Sequence, residues 1–304
     1  MEKYLFIVNP NAGGGRGKKV WQQVESELRS KKTNYQVCFT EFQGHGRDLA
    51  QSFKLDVKMV IAIGGDGTIH EVANGMKLHP EIPVAFIAAG SGNDFSRGYH
   101  VSKKPLKALK QIFTYQKENA RKFDVGQFYS KEYEGIFTSS IGIGFDALIA
   151  DVTNKARYKR WLNKVKLGFG AYVITLLRLL FTFKPFGTKM TIDGKDYDFT
   201  NTWLIAINNI PYYGGGMKIN PAASPEDGIL DICVVNNLSR WKLLLLFLTV
   251  FNGGHIRLKE VTLLKGKNIS VDTSRAVPFH TDGEVNGTTP VTVKISPKSC
   301  YFVS

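Results

Sequence analysis

Cysteine is scarce in this chain: only Cys38, Cys233 and Cys300 occur, far apart and with no CxxC spacing. That pattern argues against a disulfide framework and a cysteine zinc site, and it fits a reducing cytosol. Long apolar runs are also missing. Leu167–Phe183 is interrupted by Arg178 and falls short of the ~20 apolar residues that cross a bilayer; Leu243–Phe251 is shorter still. Both read as buried or interfacial helices. The opening MEKYLFIVNP has no basic stretch followed by a long apolar one, so no signal peptide is expected. No repeat period and no low-complexity linker is visible. Acidic residues are in deficit, with 40 Lys and Arg against 26 Asp and Glu and a net charge of +14. Such a balance calls for an anionic partner: nucleic acid, nucleotide or acidic lipid. A soluble protein that merely has a high pI is the plainer reading.

What is present is an apolar fraction of 43% over 304 residues, enough for one large domain or two ordinary ones. The first ~120 residues alternate strand and helix patterns. KYLFIVNP, VKMVIAIGG and IPVAFIAAG are short continuous apolar runs; between them GKKVWQQVESELRSKK places Val20, Val24 and Leu28 on one helical face. Buried strands separated by helices predict a mostly parallel sheet covered on both faces, with ligands outside the carboxyl ends of its strands. From about Asp124 strand patterns dominate, joined by Gly, Asp and Asn turns, with helices near Asp146–Lys155, Lys159–Thr182 and Arg240–Phe251. The expected fold is α/β plus β-rich. A parallel-sheet α/β nucleotide-binding domain spans residues 1–124. An antiparallel, β-sandwich-like domain spans residues 125–304, its last strand free to return to the first.

Three strand ends carry glycine-rich loops: Asn9–Lys19 (NPNAGGGRGKK), Gly64–Thr68 (GGDGT) and Ala88–Arg97 (AAGSGNDFSR). Glycines let the backbone approach a ligand closely, and free N–H groups beside a helix N-terminus form an anion cradle. Asn9–Lys19 is not a Walker A loop, because Ala12 and Lys19 stand where that motif needs Gly and Ser or Thr. Asp66 is the odd member of GGDGT. A carboxylate beside phosphates is repelled unless a cation such as Mg2+ mediates. A Gly-rich turn with an Asp cap is the bland alternative for one such loop, whereas three converging at one sheet edge point to nucleotide phosphates. GIGFDA (Gly142–Ala147) meets the loose GxGxxA pattern outside any first βαβ unit, and reads better as a strand bending into a helix capped by Asp146.

These loops occur in order with GSGNDF, GIGFDA, YYGGGMKINPAASPEDGILDI (Tyr212–Ile232) and a late TDGE (Thr281–Glu284). Nearly the whole chain thereby resembles the diacylglycerol kinase family, and within it the bacterial lipid kinases related to sphingosine and ceramide kinases. The resemblance implies an ATP-binding first domain, a β-rich lipid-substrate domain, and transfer of the γ-phosphate of ATP to a lipid hydroxyl such as that of diacylglycerol, with Mg2+. It implies nucleotide contacts at Asn9, Thr40, Gly64, Gly65, Asp66, Gly67, Thr68, Ile69, His70 and Ser91. It implies a structural Mg2+ held by Asp227 and the carbonyls of Ser224 and Ile229, where spacing alone gives a PEDG turn. It assigns the general base to the TDGE segment: Asp282, with Glu284 as partner or alternative base, while Asp66 positions the catalytic Mg2+. An Asp-Gly hairpin tip is the plain reading of that segment. Lys18, Lys19 and Arg97 are candidate cations near the phosphates, or ordinary surface charges.

Ile210–Pro211 stands where the family often has glycine after asparagine, which puts the shape of the lipid entrance in question. Lys155–Leu180 and Arg240–Phe251 each join basic to apolar residues, as suits contact with an anionic membrane surface. Two core helices with solvated basic ends would look the same. The expected protein is cytoplasmic and peripherally membrane-associated, binds no nucleic acid, and is open to forming a homodimer. Two rivals remain: an NAD kinase, which shares GGDGT, and a non-catalytic basic protein that binds lipid or nucleic acid.

Overall fold

The computed structural model describes residues 3–53, 56–115, 121–155 and 178–303. All but the end of the expected helix Lys159–Thr182 lies outside them.

Four parallel strands build the first half: β1 (Tyr4–Val8), β2 (Tyr35–Phe39), β3 (Met59–Gly64) and β4 (Val84–Ala88), side by side in the order β2-β1-β3-β4. Every residue of β1, β3 and β4 is buried, the signature of strands covered on both faces. The covering helices are α1 (Ala12–Ser30), α2 (His45–Ser52), α3 (Asp66–Gly75), the short α4 (Asp94–Gly98) and α5 (Pro105–Phe113). Val20, Trp21, Val24 and Leu28 of α1 are buried at helical spacing. Right-handed crossovers put α1 on one face and α2 and α3 on the other. Accordingly α1 packs on α5, and α2 on α3. The chain reverses its direction of winding between β1 and β3. Loops at the carboxyl ends of those two strands therefore part there and leave a crevice.

The second half is antiparallel. Its strands are β5 (Lys122–Ser130), β6 (Glu134–Phe137), β7 (Ser140–Gly144), β8 (Phe186–Ile192), β9 (Lys195–Asn208), the short pair β10 (Tyr212–Tyr213) and β11 (Met217–Lys218), β12 (Leu230–Asn236), β13 (Val261–Gly266), β14 (Asn268–Thr273), β15 (Pro278–Thr281), β16 (Glu284–Thr288) and β17 (Val291–Val303). Among the described residues, α6 (Phe145–Lys155), α7 (Arg240–Thr249) and a helical end at 178–182 interrupt them. The core of this half gathers Phe145, Phe183, Trp203, Ile205, Val234 and Phe279.

β17 joins the halves. It pairs antiparallel with β5 and β14, and its end, Phe302 and Val303, pairs parallel with Val84 and Ala85 of β4. One hydrogen-bonded sheet thus runs through both halves. Phe302 plugs the seam, in edge-on contact with Phe95 and Tyr99 and tilted against Phe123. Ile210 is fully buried there and packs where a Cβ on Gly98 would stand; the asparagine-rich turn before it is core rather than a loop lip.

Candidate active site

The glycine loops meet at the crevice. Gly13, Gly14 and Gly15 all have positive φ (58°, 69° and 94°), so the chain after β1 forms a backbone nest before the regular part of α1 begins. The GGDG turn after β3 leads into the N-terminus of α3. It touches the third loop so closely that a Cβ on Gly90 would strike Gly65. Together they line a cleft of about 480 Å³ with Asn9, Thr40, Gly65, Gly67, Thr68, Ser91 and Glu284. Asn9 Nδ2 reaches Thr68 Oγ1 at 3.4 Å, and Thr40 is fixed by its N–H on the carbonyl of Val8.

Not every expected nucleotide residue faces this cleft. Gly64 and Ile69 are buried beneath it, Asp66 lines a second cavity, and His70 turns toward the second half of the chain. Lys18 and Lys19 are exposed, and Arg97 is committed to Asp94 Oδ1 (2.5 Å) and the carbonyl of Gly92.

Asp282 and Glu284 are separated by a turn. Asp282 (φ 49°) and Gly283 (φ 91°) both adopt the left-handed conformation between β15 and β16, so the two carboxylates do not share a strand face. The side chain of Asp282 is 2% exposed. Its oxygens accept hydrogen bonds from the backbone N–H groups of Thr138 (2.8 Å), Ser139 (2.8 Å) and Ser140 (2.9 Å), from Thr138 Oγ1 (3.0 Å) and from His70 Nδ1 (2.9 Å). Burial alone would raise its pKa, but the His70 hydrogen bond and charge, with the backbone donors, hold it below the ordinary range. Conversely, burial would lower the His70 pKa, and the Asp282 bond and charge more than reverse that. The residue expected to take a proton is therefore a saturated anchor with little basicity. Glu284 is placed differently. It lines the cleft, its Oε1 lies 3.5 Å from where a Cβ on Gly67 would stand, and burial pushes its pKa up.

Asp66 is pushed up to about 6, first by burial and then by the charge of Asp94. Its Oδ1 accepts from the N–H of Phe95 (3.0 Å). Burial also raises Asp94, which ties the Gly214–Gly216 loop to the first half through the N–H of Gly215 (2.6 Å). Asp94 is ion-paired with Arg97, whereas buried Asp66 meets only backbone donors; a buried carboxylate without a cation partner fits a hard divalent cation such as Mg2+. Among the described residues no three His, Cys, Asp or Glu side chains form a ready cage.

The loop carrying Ser224, Asp227 and Ile229 lies at the seam. Buried Asp124 accepts from the N–H groups of Gly228 and Lys298 (2.7 Å each). Asp227 is exposed and accepts from the N–H of Ile229 (3.1 Å), an Asx turn that leaves its other oxygen outward.

Two further carboxylates of the site take tertiary partners that no motif announces. Glu71 caps α2, accepting from the N–H groups of Gly44 (2.7 Å) and Gly46 (2.9 Å). Asp146 is bonded to Tyr213 and His280, each at 3.3 Å, instead of serving as the helix cap read from GIGFDA. A buried carboxylate inside an apolar strand–helix run was the available clue.

Comparison with known proteins agrees with this geometry. Residues 3–128 match the diacylglycerol kinase catalytic domain, and residues 139–303 the YegS C-terminal NAD kinase beta sandwich-like domain. The chain is 36% identical to "Putative lipid kinase YtlR" of Bacillus subtilis (strain 168), covering 98% of each chain. It is 27% identical to a diacylglycerol kinase of Mycobacterium tuberculosis (strain ATCC 25618 / H37Rv), covering 97% of this chain and 93% of that one. A crystal structure described as "a putative diacylglycerol kinase from Bacillus anthracis str. Sterne" superposes with a TM-score of 0.76 at 26% identity, over 99% of this chain and 96% of the other.

Proposed function

The chain belongs to the diacylglycerol kinase family of lipid kinases, and from that membership we propose that it passes the γ-phosphoryl group of ATP to a hydroxyl of a lipid such as diacylglycerol. One observation carries this reading. The GGDG and DGE turns form a common wall, with Gly67 and Glu284 on the side of the glycine-lined cleft and Asp66 and Asp282 on the side of a second cavity. A triphosphate held in the first space and an alcohol in the second meet at that wall.

The glycine nest and the N-terminus of α3 bind the phosphates through backbone N–H groups, with Asn9, Thr68 and Ser91 adding polar contacts. The alcohol oxygen forms a bond to the γ-phosphorus as the bond from that phosphorus to the β,γ-bridging oxygen breaks, and ADP leaves. Glu284 accepts the alcohol proton: it faces the cleft and its pKa is raised, whereas Asp282 has no free lone pair to offer. Asp282 positions the turn. Asp66, with Asp94 beside it, would hold a Mg2+. When bound, that ion neutralises charge on the transferring group. A second Mg2+ at Asp227, with the carbonyls of Ser224 and Ile229, would pin the seam loop.

The acceptor arrives from a membrane surface. Among the described residues no helix is long and apolar enough to cross a bilayer. Instead Phe181, Trp241 and Leu248 are 58%, 69% and 73% exposed, with Phe181 and Trp241 in ring contact beside Arg240 and Lys242. Exposed apolar rings beside Arg240 suit an anionic interface, while Lys242 is paired with Glu260.

Purified protein given labelled ATP and Mg2+, with a total lipid extract and NAD offered in parallel, should label a lipid and leave NAD unlabelled. Label in NAD alone would establish the NAD kinase reading; no labelled product of either kind would leave only a binding protein.

A further inference from the structure

The glycine-lined cleft carries at its lip an aromatic ring that none of the contacts above uses. After β2 the chain runs Thr40-Glu41-Phe42-Gln43-Gly44 into α2. Phe42 lines the cleft and is 59% exposed, and among the described residues of that lining it is the one aromatic side chain. A singly exposed apolar side chain is ordinary by itself. This one differs in being held. Its ring lies face to face on the imidazole of His45, with centroids 4.5 Å apart and the planes parallel. His45 is fixed in turn, its Nδ1 accepting from the N–H of Glu41 (3.1 Å). The backbone is pinned on either side. Thr40 donates its N–H to the carbonyl of Val8 (2.9 Å), His45 donates its N–H to that of Phe42 (3.3 Å), and Glu71 accepts from Gly44 and Gly46. One face of a pre-positioned ring is covered by His45, and the other remains for a ligand.

The place of the ring names that ligand. The phosphate-binding N–H groups follow β1 and β3, in the Gly13–Gly15 nest and the GGDG turn. Phe42 follows β2, which lies beyond β1 from β3. Strands stand ~4.8 Å apart, so two spacings put the β2 loop about 10 Å from the GGDG turn. A nucleotide laid from that turn toward β2 brings its base, and not its phosphates, over Phe42. A base has a flat π-face to match the ring, and Asn11, Thr40 and Glu41 line the same stretch for the polar atoms of its edge. No Lys or Arg is among the described residues lining the cleft. Nucleotide affinity there rests on backbone N–H groups at one end, which leaves the base as the remaining handle at the other.

Deepening the reading of this cleft as the ATP site, on which it rests, we propose that Phe42, backed by His45, is the stacking platform for the purine base of ATP. Phe42 touches the nucleotide, and His45 is a positioning residue behind it. Stacking on an aromatic side chain is tolerant of which base is presented. The platform therefore selects a nucleoside triphosphate over a bare phosphate chain.

Calorimetry on the full chain with Mg2+ tests this by comparing ATP with inorganic tripolyphosphate, which has the phosphates and lacks the base. The wild type should bind ATP at least about fivefold more tightly than tripolyphosphate, the low end of what one base–aromatic stack contributes. Phe42→Ala should erase most of that margin and leave tripolyphosphate binding unchanged. Phe42→Leu, which keeps apolar bulk and loses the π-face, should do the same, whereas Phe42→Trp should keep the margin. In turnover the loss should appear in KM for ATP and not in kcat. ATP affinity equal in the wild type and both truncated variants, or ATP and tripolyphosphate weakened alike, overturns the platform even where a labelled lipid upholds the kinase. A base-dependent margin that Phe42→Ala erases, with no lipid labelled, upholds the platform and removes the kinase reading. A wild type that binds no ATP removes both.

Discussion

At the Asp282–Gly283 turn, two carboxylates two residues apart receive opposite environments. Five donors converge on Asp282, while Glu284 meets the cleft with a raised pKa. Glu284→Gln should therefore lower kcat by ~10²–10⁴-fold and leave the melting temperature within a few degrees. Asp282→Ala leaves buried donors unpaired and His70 without its anion, a loss of ~3–5 kcal/mol, visible as a melting transition lowered by about 10 °C. Equal thermal effects from the two changes would remove the distinction. Asp66 supplies the pH test. Its folded pKa lies near 6 against an ordinary 3.8. A raised carboxylate pKa favours the folded state below about 4, and that advantage is lost as pH rises through about 6. Asp66→Asn should consequently raise stability at pH 8 without Mg2+, by ~2–3 kcal/mol at most, while abolishing turnover. Wild-type turnover should fall as pH drops through the same range. A variant less stable than wild type at pH 8 would contradict the burial account.

Among the elements, those with strong local signals were legible. β1, β3 and β4 are unbroken apolar runs, and α1 shows its buried face in the spacing of Val20, Val24 and Leu28. The three glycine loops could be placed at one sheet edge because parallel strands put all their carboxyl ends together. Contacts across the chain were not legible. Asp282 takes its donors 142 to 212 residues away, and Asp94 reaches Gly215 121 residues on. Asp146 looked like a cap because a strand–helix junction wants one; tertiary partners claimed it instead. At the seam loop, Mg2+ should raise the melting temperature of the wild type, by an increment equivalent to ~2.7 kcal/mol at a hundredfold excess over Kd. Part of that increment should vanish in Asp227→Ala, and a Mg2+ response identical in both proteins would rule out that site. On α7, Trp241→Ala with Leu248→Glu should weaken co-sedimentation with anionic vesicles at least fivefold and spare activity on detergent-dispersed lipid. Unchanged sedimentation would assign the membrane contact elsewhere.

For the whole molecule, β17 and the His70–Asp282 pair fasten the two halves at opposite sides of one seam. The pair has its own pH window. The lowered Asp282 pKa contributes stability above about pH 4 that is lost as pH falls; the raised His70 pKa contributes stability below about pH 6.5 that is lost as pH climbs through its folded value. Fastened in this way, the halves present their turns to each other across a short gap, and function rests on that placement. A crystal structure with a non-hydrolysable ATP analogue and Mg2+ reads it directly. The terminal phosphorus should lie at the Gly65–Gly67 turn, within ~6 Å of the Glu284 carboxylate, close enough for an alcohol oxygen to bridge them. A nucleotide bound outside the glycine-lined cleft, or one whose terminal phosphate points away from Glu284 with no closing motion of the halves, would contradict the account.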